Sequence, residues 1–202
     1  MAYILSVLLG YLLGCSNMAL YICKLKKVDL RQHGSANLGA SNAAIVIGWR
    51  AGVLTAVHDI AKAILAVVFA RLLFPQAAYI GAVAGVACVL GHIFPFYLKF
   101  RGGKGFASYI GLLLALDWKF ALVMMALVLV ITLIFDYITI GTFSTIVAGP
   151  VYLGIAQQDF LLPLILLIAS AVILYKHWEN IPRILNGTEK GLRSVLKKQD
   201  RV

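Results

Sequence analysis

The chain has 202 residues, of which 62% are hydrophobic and 13% charged, with a mean hydropathy of +0.93 and a formal net charge of +10. A soluble domain carries about 25% charged residues, and residues 120–135 and 160–175 contain no Lys or Arg over nearly the run length that spans a bilayer. A soluble all-α protein is therefore excluded. The positive residues collect in loops between apolar runs instead of forming a stripe with interleaved aromatics, so the net charge argues for positive-inside topology and against nucleic acid as a partner.

The pattern predicts an all-α, polytopic integral membrane bundle of seven segments. Residues 2–23 imitate a signal peptide, and Leu12-Leu13-Gly14-Cys15 imitates a lipoprotein cleavage box. Both need a basic stretch in front, and none precedes Tyr3, so this run reads as a retained first transmembrane helix. A loop at 24–44 follows, with Lys24, Lys26, Lys27 and Arg31. Segment 45–73 is longer than a bilayer needs, so it tilts or projects. After Phe74-Pro75-Gln76 comes segment 77–98, then a loop with Lys99, Arg101 and Lys104. Segment 104–116 is short and reads as a half-helix or re-entrant piece. Segments 118–135, 138–156 and 160–176 are separated by Asp136-Tyr137 and Gln157-Gln158-Asp159. The tail carries Lys176, Arg183, Lys190, Arg193, Lys197, Lys198 and Arg201.

Even numbers of segments separate the three cationic clusters, which places all of them in the cytoplasm, with the N-terminus outside. Five crossings instead of seven give the same parity. Glycine pairs at Gly10/Gly14, Gly48/Gly52 and Gly81/Gly85 have the spacing for close helix approach. No linker or repeat divides the chain, so 1–202 reads as one domain. Cys15, Cys23 and Cys88 show no pairing pattern, which argues against both a disulfide framework and a metal site.

Three polar stretches share the cytoplasmic face. The first, Gly34–Asn42, offers Ser35, Asn37, Ser41 and Asn42 between Gly34 and Gly39, with Ser41 or Asn42 as an N-cap for the long helix. A helix N-terminus favours an anion, and Arg50, two turns into that helix, is placed to line the site. The second, Gly102-Gly103-Lys104-Gly105, resembles a phosphate loop in mechanism but lacks the Walker spacing. Glycines let a backbone approach a ligand, and lysine adds full charge. In the third, His177 and Asn180 stand i, i+3 on one helix face, followed by Arg183, Gly187, Glu189 and Lys190.

Within the membrane, His58, Asp59 and Lys62 lie mid-helix, where ionisable groups are functional suspects. An Asp59–Lys62 pair at i, i+3 is an equally good structural explanation. His92 is nearer the cytoplasmic face and could reach the site, but it is given no role there.

Together these motifs resemble the bacterial membrane acyltransferases that use acyl phosphate to acylate glycerol 3-phosphate, over essentially the whole chain. Ser35, Asn37, Gly39 and Asn42 match a Ser-x-Asn-x-Gly-x-x-Asn motif. Gly102, Gly103, Lys104, Gly105 and Ala107 match a Gly-Gly-Lys-Gly-x-Ala run. His177, Asn180, Ile181, Arg183, Gly187 and Glu189 match the third motif. Three departures are Ala36 where the family often has glycine, Ser41 where it often has threonine, and Ala63 where glycine is common.

The resemblance implies transfer of the acyl group from acyl phosphate to the 1-hydroxyl of glycerol 3-phosphate, at the cytoplasmic face of the bacterial inner membrane. The products are the membrane lipid lysophosphatidic acid and phosphate. No cofactor, metal or obligatory protein partner is implied. The His-x-x-x-x-Asp pair of other glycerolipid acyltransferases is absent here. Ser35, Asn37, Lys104 and the backbone of Gly102–Gly105 are expected to take the leaving phosphate. His177, Asn180 and Arg50 are expected to take the acceptor, with Gly39, Asn42 and Arg183 also binding substrate. His177 is either the general base or an acceptor-positioning group, and Glu189 tethers the C-terminal segment by ion pairs. A transporter or channel for a phosphorylated anion is the alternative, although polarity concentrated at one face does not favour it.

Overall fold

The computed structural model describes residues 1–193, so Lys197, Lys198 and Arg201 lie outside the described part. All regular structure among the described residues is helical, and five helical stretches are long and apolar enough to cross a membrane. The chain forms two compact units, the first Met1–Asp117 and the second beginning at Trp118.

The first unit opens with α1 (Ala2–Cys15) and α2 (Met18–Lys26). The run expected as one helix over 2–23 is thus broken at Ser16–Asn17. Asn17 is extended and caps α2, its Oδ1 accepting from the Leu20 amide at 2.9 Å. The carbonyls that the break releases are satisfied from elsewhere, as backbone at membrane depth requires. Lys62 donates to the Gly14 and Ser16 carbonyls at 3.0 and 2.7 Å, and the Tyr97 hydroxyl donates to the Cys15 carbonyl at 2.6 Å. A cation at a helix C-terminus is also the favourable sign for the helix dipole.

A short 3₁₀ turn (Leu30–Gln32) leads to α3 (Ala40–Val46) and then α4 (Trp49–Leu73). The segment expected at 45–73 therefore begins later, because Gly48 at φ +131° takes a conformation that interrupts the helix. Next come α5 (Ile80–Ile93), a 3₁₀ turn (Phe96–Leu98) and α6 (Phe106–Leu116). Pro95 stands just past the end of α5, where its missing N–H cannot continue a helix. The short fourth segment is an 11-residue helix, about 16 Å long at 1.5 Å per residue.

Small residues let α1 and α5 meet backbone to backbone. A side chain at Gly10 would strike the Ala84 carbonyl, one at Gly14 the Cys88 carbonyl, and one at Gly91 the Tyr11 carbonyl. The Gly10/Gly14 spacing thus serves close packing, as expected. In the second unit, α7 (Trp118–Phe135) packs on α8 (Ile138–Ala156), and α8 packs on α9 (Leu161–His177). A further short helix, α10, covers Asn180–Leu185.

Candidate active site

The loop between α2 and α3 is organised around Asn42. Its side chain is fully buried and accepts from the Ser35 amide at 2.8 Å. Its Nδ2 donates to the carbonyls of Leu30, His33 and Asn37 at 3.0, 3.1 and 2.9 Å. The side chain is therefore consumed in shaping the loop. Gly39, not Ser41 or Asn42, occupies the N-cap position, and the helix it starts is only the seven-residue α3.

The curve Asn42 imposes brings Asn37 Nδ2 to donate to Ser35 Oγ at 2.8 Å, which leaves the serine proton to donate. Asn42 also explains Gly34, at φ +66°, since a side chain there would strike the Asn42 carboxamide. Ala36 sits at φ +55°, in the left-handed region that disfavours Cβ by about 1–2 kcal/mol. Ala36→Gly relieves that strain and frees the unfolded chain, two opposing terms. A net gain of roughly 0.5 kcal/mol is expected from these principles, seen as a higher melting temperature in detergent; a lower one would show that the turn does not strain Ala36.

Near the start of this loop, Arg31 donates to both carboxylate oxygens of Asp29 at 3.0 and 2.9 Å. Those hydrogen bonds hold the Asp29 carboxyl below the usual carboxylate range. Arg50 lies in the first turn of α4, not two turns in, and is exposed beside the Trp49 ring, 5.6 Å from its centroid.

The glycine loop joins the end of α5 to α6. The amides of Gly102 and Gly103, expected to face a ligand, instead donate to the carbonyls of Ile93 and His92 at 3.0 and 3.2 Å. These two glycines are required by packing, because a side chain at Gly102 would strike the His92 carbonyl and one at Gly103 the His92 imidazole. Gly105, at φ +91°, is the N-cap of α6 and provides no side-chain cap. Half-buried Lys104 thus precedes a helix N-terminus whose first-turn amides and dipole favour an anion. The two loops meet at Leu38, whose carbonyl would lie 3.1 Å from a Cβ on Gly103. That same carbonyl accepts from Asn17 Nδ2 at 3.1 Å.

In the second unit, His177 ends α9 and Asn180 begins α10, so a turn at Trp178–Glu179 separates residues expected on one continuous helix. The dihedrals of that turn remain helical, which keeps the interruption slight. Both side chains are buried. His177 Nδ1 lies 2.9 Å from the Ile173 carbonyl, which can only accept, so Nδ1 carries the proton and Nε2 is the basic atom. Asn180 donates to Glu189 Oε1 at 2.6 Å, and Glu189 Oε2 pairs with Arg183 Nε at 3.1 Å. The expected ion-pair tether by Glu189 has this geometry, and Arg183, expected at substrate, is its partner. The tether continues at Asp136, whose Oδ1 accepts from the Arg193 amide at 2.7 Å.

Sequence reasoning left His92 aside, although Gly103 packs directly against its ring. The signal available was its position ten residues before Gly102 and just ahead of the Pro95 turn.

A multi-pass membrane bundle with an anion-favouring, glycine-bounded lysine at a helix start is the class that fold and site define. The family model for glycerol-3-phosphate acyltransferase matches residues 4–187. A glycerol-3-phosphate acyltransferase of Coxiella burnetii (strain CbuG_Q212) is 41% identical over 191 residues, covering 94% of this chain and 97% of that one. Glycerol-3-phosphate acyltransferase 1 of Oceanobacillus iheyensis is 34% identical over 98% of this chain and 99% of its own. Among solved structures, the integral membrane glycerol 3-phosphate acyltransferase PlsY (YgiH) in its glycerol 3-phosphate form superposes with a TM-score of 0.88. That structure shares 32% identity, over 95% of this chain and 96% of that chain. Its lysophosphatidic acid form gives 0.86 at 31% identity, over 97% and 99%. The chain belongs to the glycerol-3-phosphate acyltransferase family, and family membership replaces the transporter alternative. It is a multi-pass membrane acyltransferase of phospholipid synthesis.

Proposed function

We propose that the acyl donor is an acyl phosphate and that the 1-hydroxyl of glycerol 3-phosphate is the acceptor, giving lysophosphatidic acid and inorganic phosphate. The observation that carries this reading is the seating of Lys104 between two glycines at the uncapped start of α6, beside a loop that presents Ser35 and Asn37. A phosphate leaving group needs fixed charge and donors where its negative charge grows. Ser35 Oγ–H, Lys104 and the first amides of α6 supply both, so no thioester-type activation is required. Gly39, Gly102 and Gly103 permit the close packing that holds these groups, and Asn42 shapes the loop. His177 and Asn180 are assigned to the acceptor, with Arg183 and Glu189 holding Asn180 in place.

His177 supports acceptor chemistry because the Ile173 carbonyl holds its Nδ1–H, which orients the ring and makes Nε2 the accepting atom of the neutral imidazole. In the preferred route the departing phosphate takes the acceptor's proton and Nε2 positions the hydroxyl. A His177→Ala defect confined to KM for glycerol 3-phosphate supports that route. A defect in kcat alone assigns His177 as the base.

The reading is tested with purified protein in detergent, measuring phosphate release. Release that needs both acyl phosphate and glycerol 3-phosphate supports it; equal transfer from an acyl thioester would overturn the donor assignment. The chemistry is assigned to the cytoplasmic face, from the positive loops. Single cysteines at Ser35 and Asn186, with Cys15, Cys23 and Cys88 replaced, should label only from the cytoplasm, and one at Gln158 only from outside. Cytoplasmic labelling at Gln158 would refute the seven-crossing topology.

A further inference from the structure

The proposed chemistry leaves one group of ionisable side chains unused. Asp59 and Lys62, on successive turns of α4, are buried to 1% and 4% exposure, with Lys62 Nζ 2.8 Å from Asp59 Oδ1. His92, on α5, is equally buried, its Nδ1 2.9 Å from Lys62 Nζ and 3.3 Å from Asp59 Oδ1. His58 stands at the edge, with Nδ1 3.5 Å from Asp59 Oδ1 and Nε2 3.0 Å from Ser16 Oγ.

Capping the break in α1 accounts for Lys62 and for the carboxylate that balances its charge. It does not account for His92, which touches neither Gly14 nor Ser16 in any of these contacts. What His92 touches is the glycine loop. Its carbonyl accepts from the Gly103 amide at 3.2 Å, and a side chain on Gly103 would collide with Nε2. The Leu38 carbonyl, from the first loop, borders the same point.

We propose that Asp59, Lys62 and His92 are positioning residues for the donor-phosphate site, acting from within the membrane. The ammonium donates to His92 Nδ1, so the proton sits on Nε2 and the ring is locked with that edge beneath Gly103. Asp59 fixes the ammonium. The locked ring sets how closely the glycine loop approaches Leu38, and with it the placement of Lys104 relative to Ser35 and Asn37. The inference rests on assigning the leaving phosphate to these two loops.

A double-mutant cycle in the acyl phosphate assay tests it. Gly103→Ala, which pushes on the ring, should lower kcat/KM for acyl phosphate at least ten-fold. His92→Ala should do the same while KM for glycerol 3-phosphate stays within two-fold. In the double variant the ring, which is the severe collision, is gone and the methyl meets only the Leu38 carbonyl at 3.1 Å, so its loss should not exceed that of the worse single variant. His92→Asn, which keeps an acceptor for Lys62 but removes the imidazole edge, should show the donor-side loss at wild-type melting temperature. Losses that multiply in the double variant, or equal damage to both substrates, would overturn the proposal. So would wild-type kinetics in His92→Asn. Failure of the wild-type protein to use acyl phosphate would instead refute the donor assignment itself.

Discussion

Replacing Lys104 with alanine should reduce kcat/KM for acyl phosphate by roughly 10²–10³-fold without loss of folded protein. The magnitude follows from removing one donor aimed at developing negative charge, about 2.7–4 kcal/mol. Several features fix the backbone on either side of the lysine. The preceding amides are tied to α5, Gly105 turns the chain at φ +91°, and α6 begins immediately afterwards. The loss should extend across neutral pH, because the proposed role is that of a fixed charge. Lys104→Arg should recover little, since in the proposed role a planar guanidinium does not replace a compact ammonium. Steady-state kinetics with both variants decides the matter. Near-normal turnover in Lys104→Ala would transfer the charge-stabilising role to another group.

Lys62→Met should be the most destabilising single change in the first unit, costing about 3–5 kcal/mol, the range for stripping a buried charge of its partner. The substitution leaves Asp59 buried and strips the Gly14 and Ser16 carbonyls of their donor. Pairing it with Asp59→Leu removes the orphaned charge, so the double variant should melt at a higher temperature than Lys62→Met alone. If the double variant is as unstable as the single one, the satisfied carbonyls and not the ion pair carry the stabilisation. Thermal unfolding in detergent reads all three variants.

Run length and glycine-lysine composition are local properties, and they made the helical membrane class, the segment order and the three polar stretches legible in the chain. Gly10 and Gly14 do what their type and spacing announce, because close approach is a consequence of a missing Cβ. The family motifs singled out Ser35, Asn37, Lys104, His177 and Asn180 as candidates, through residue types that phosphate chemistry needs.

Long-range partners were not legible, because they depend on which surfaces meet. The break at Ser16–Asn17 is stable since Lys62, 46 residues away from Ser16, supplies the missing donor. Nothing in the apolar run itself marks the need for one. Asn42 reads as a helix cap or ligand in the chain, yet folding surrounds it with one amide and three carbonyls, so its side chain builds the loop. The amides of Gly102 and Gly103 read as ligand donors until α5 places its last carbonyls against them. His92 becomes a neighbour of the glycine loop for the same reason: the chain reverses at Pro95, and the packing of α4 on α5 places Lys62 and Asp59 behind its ring. Residue type therefore determined which chemistry the protein carries, and tertiary contact determined which of those residues are spent on holding it in place.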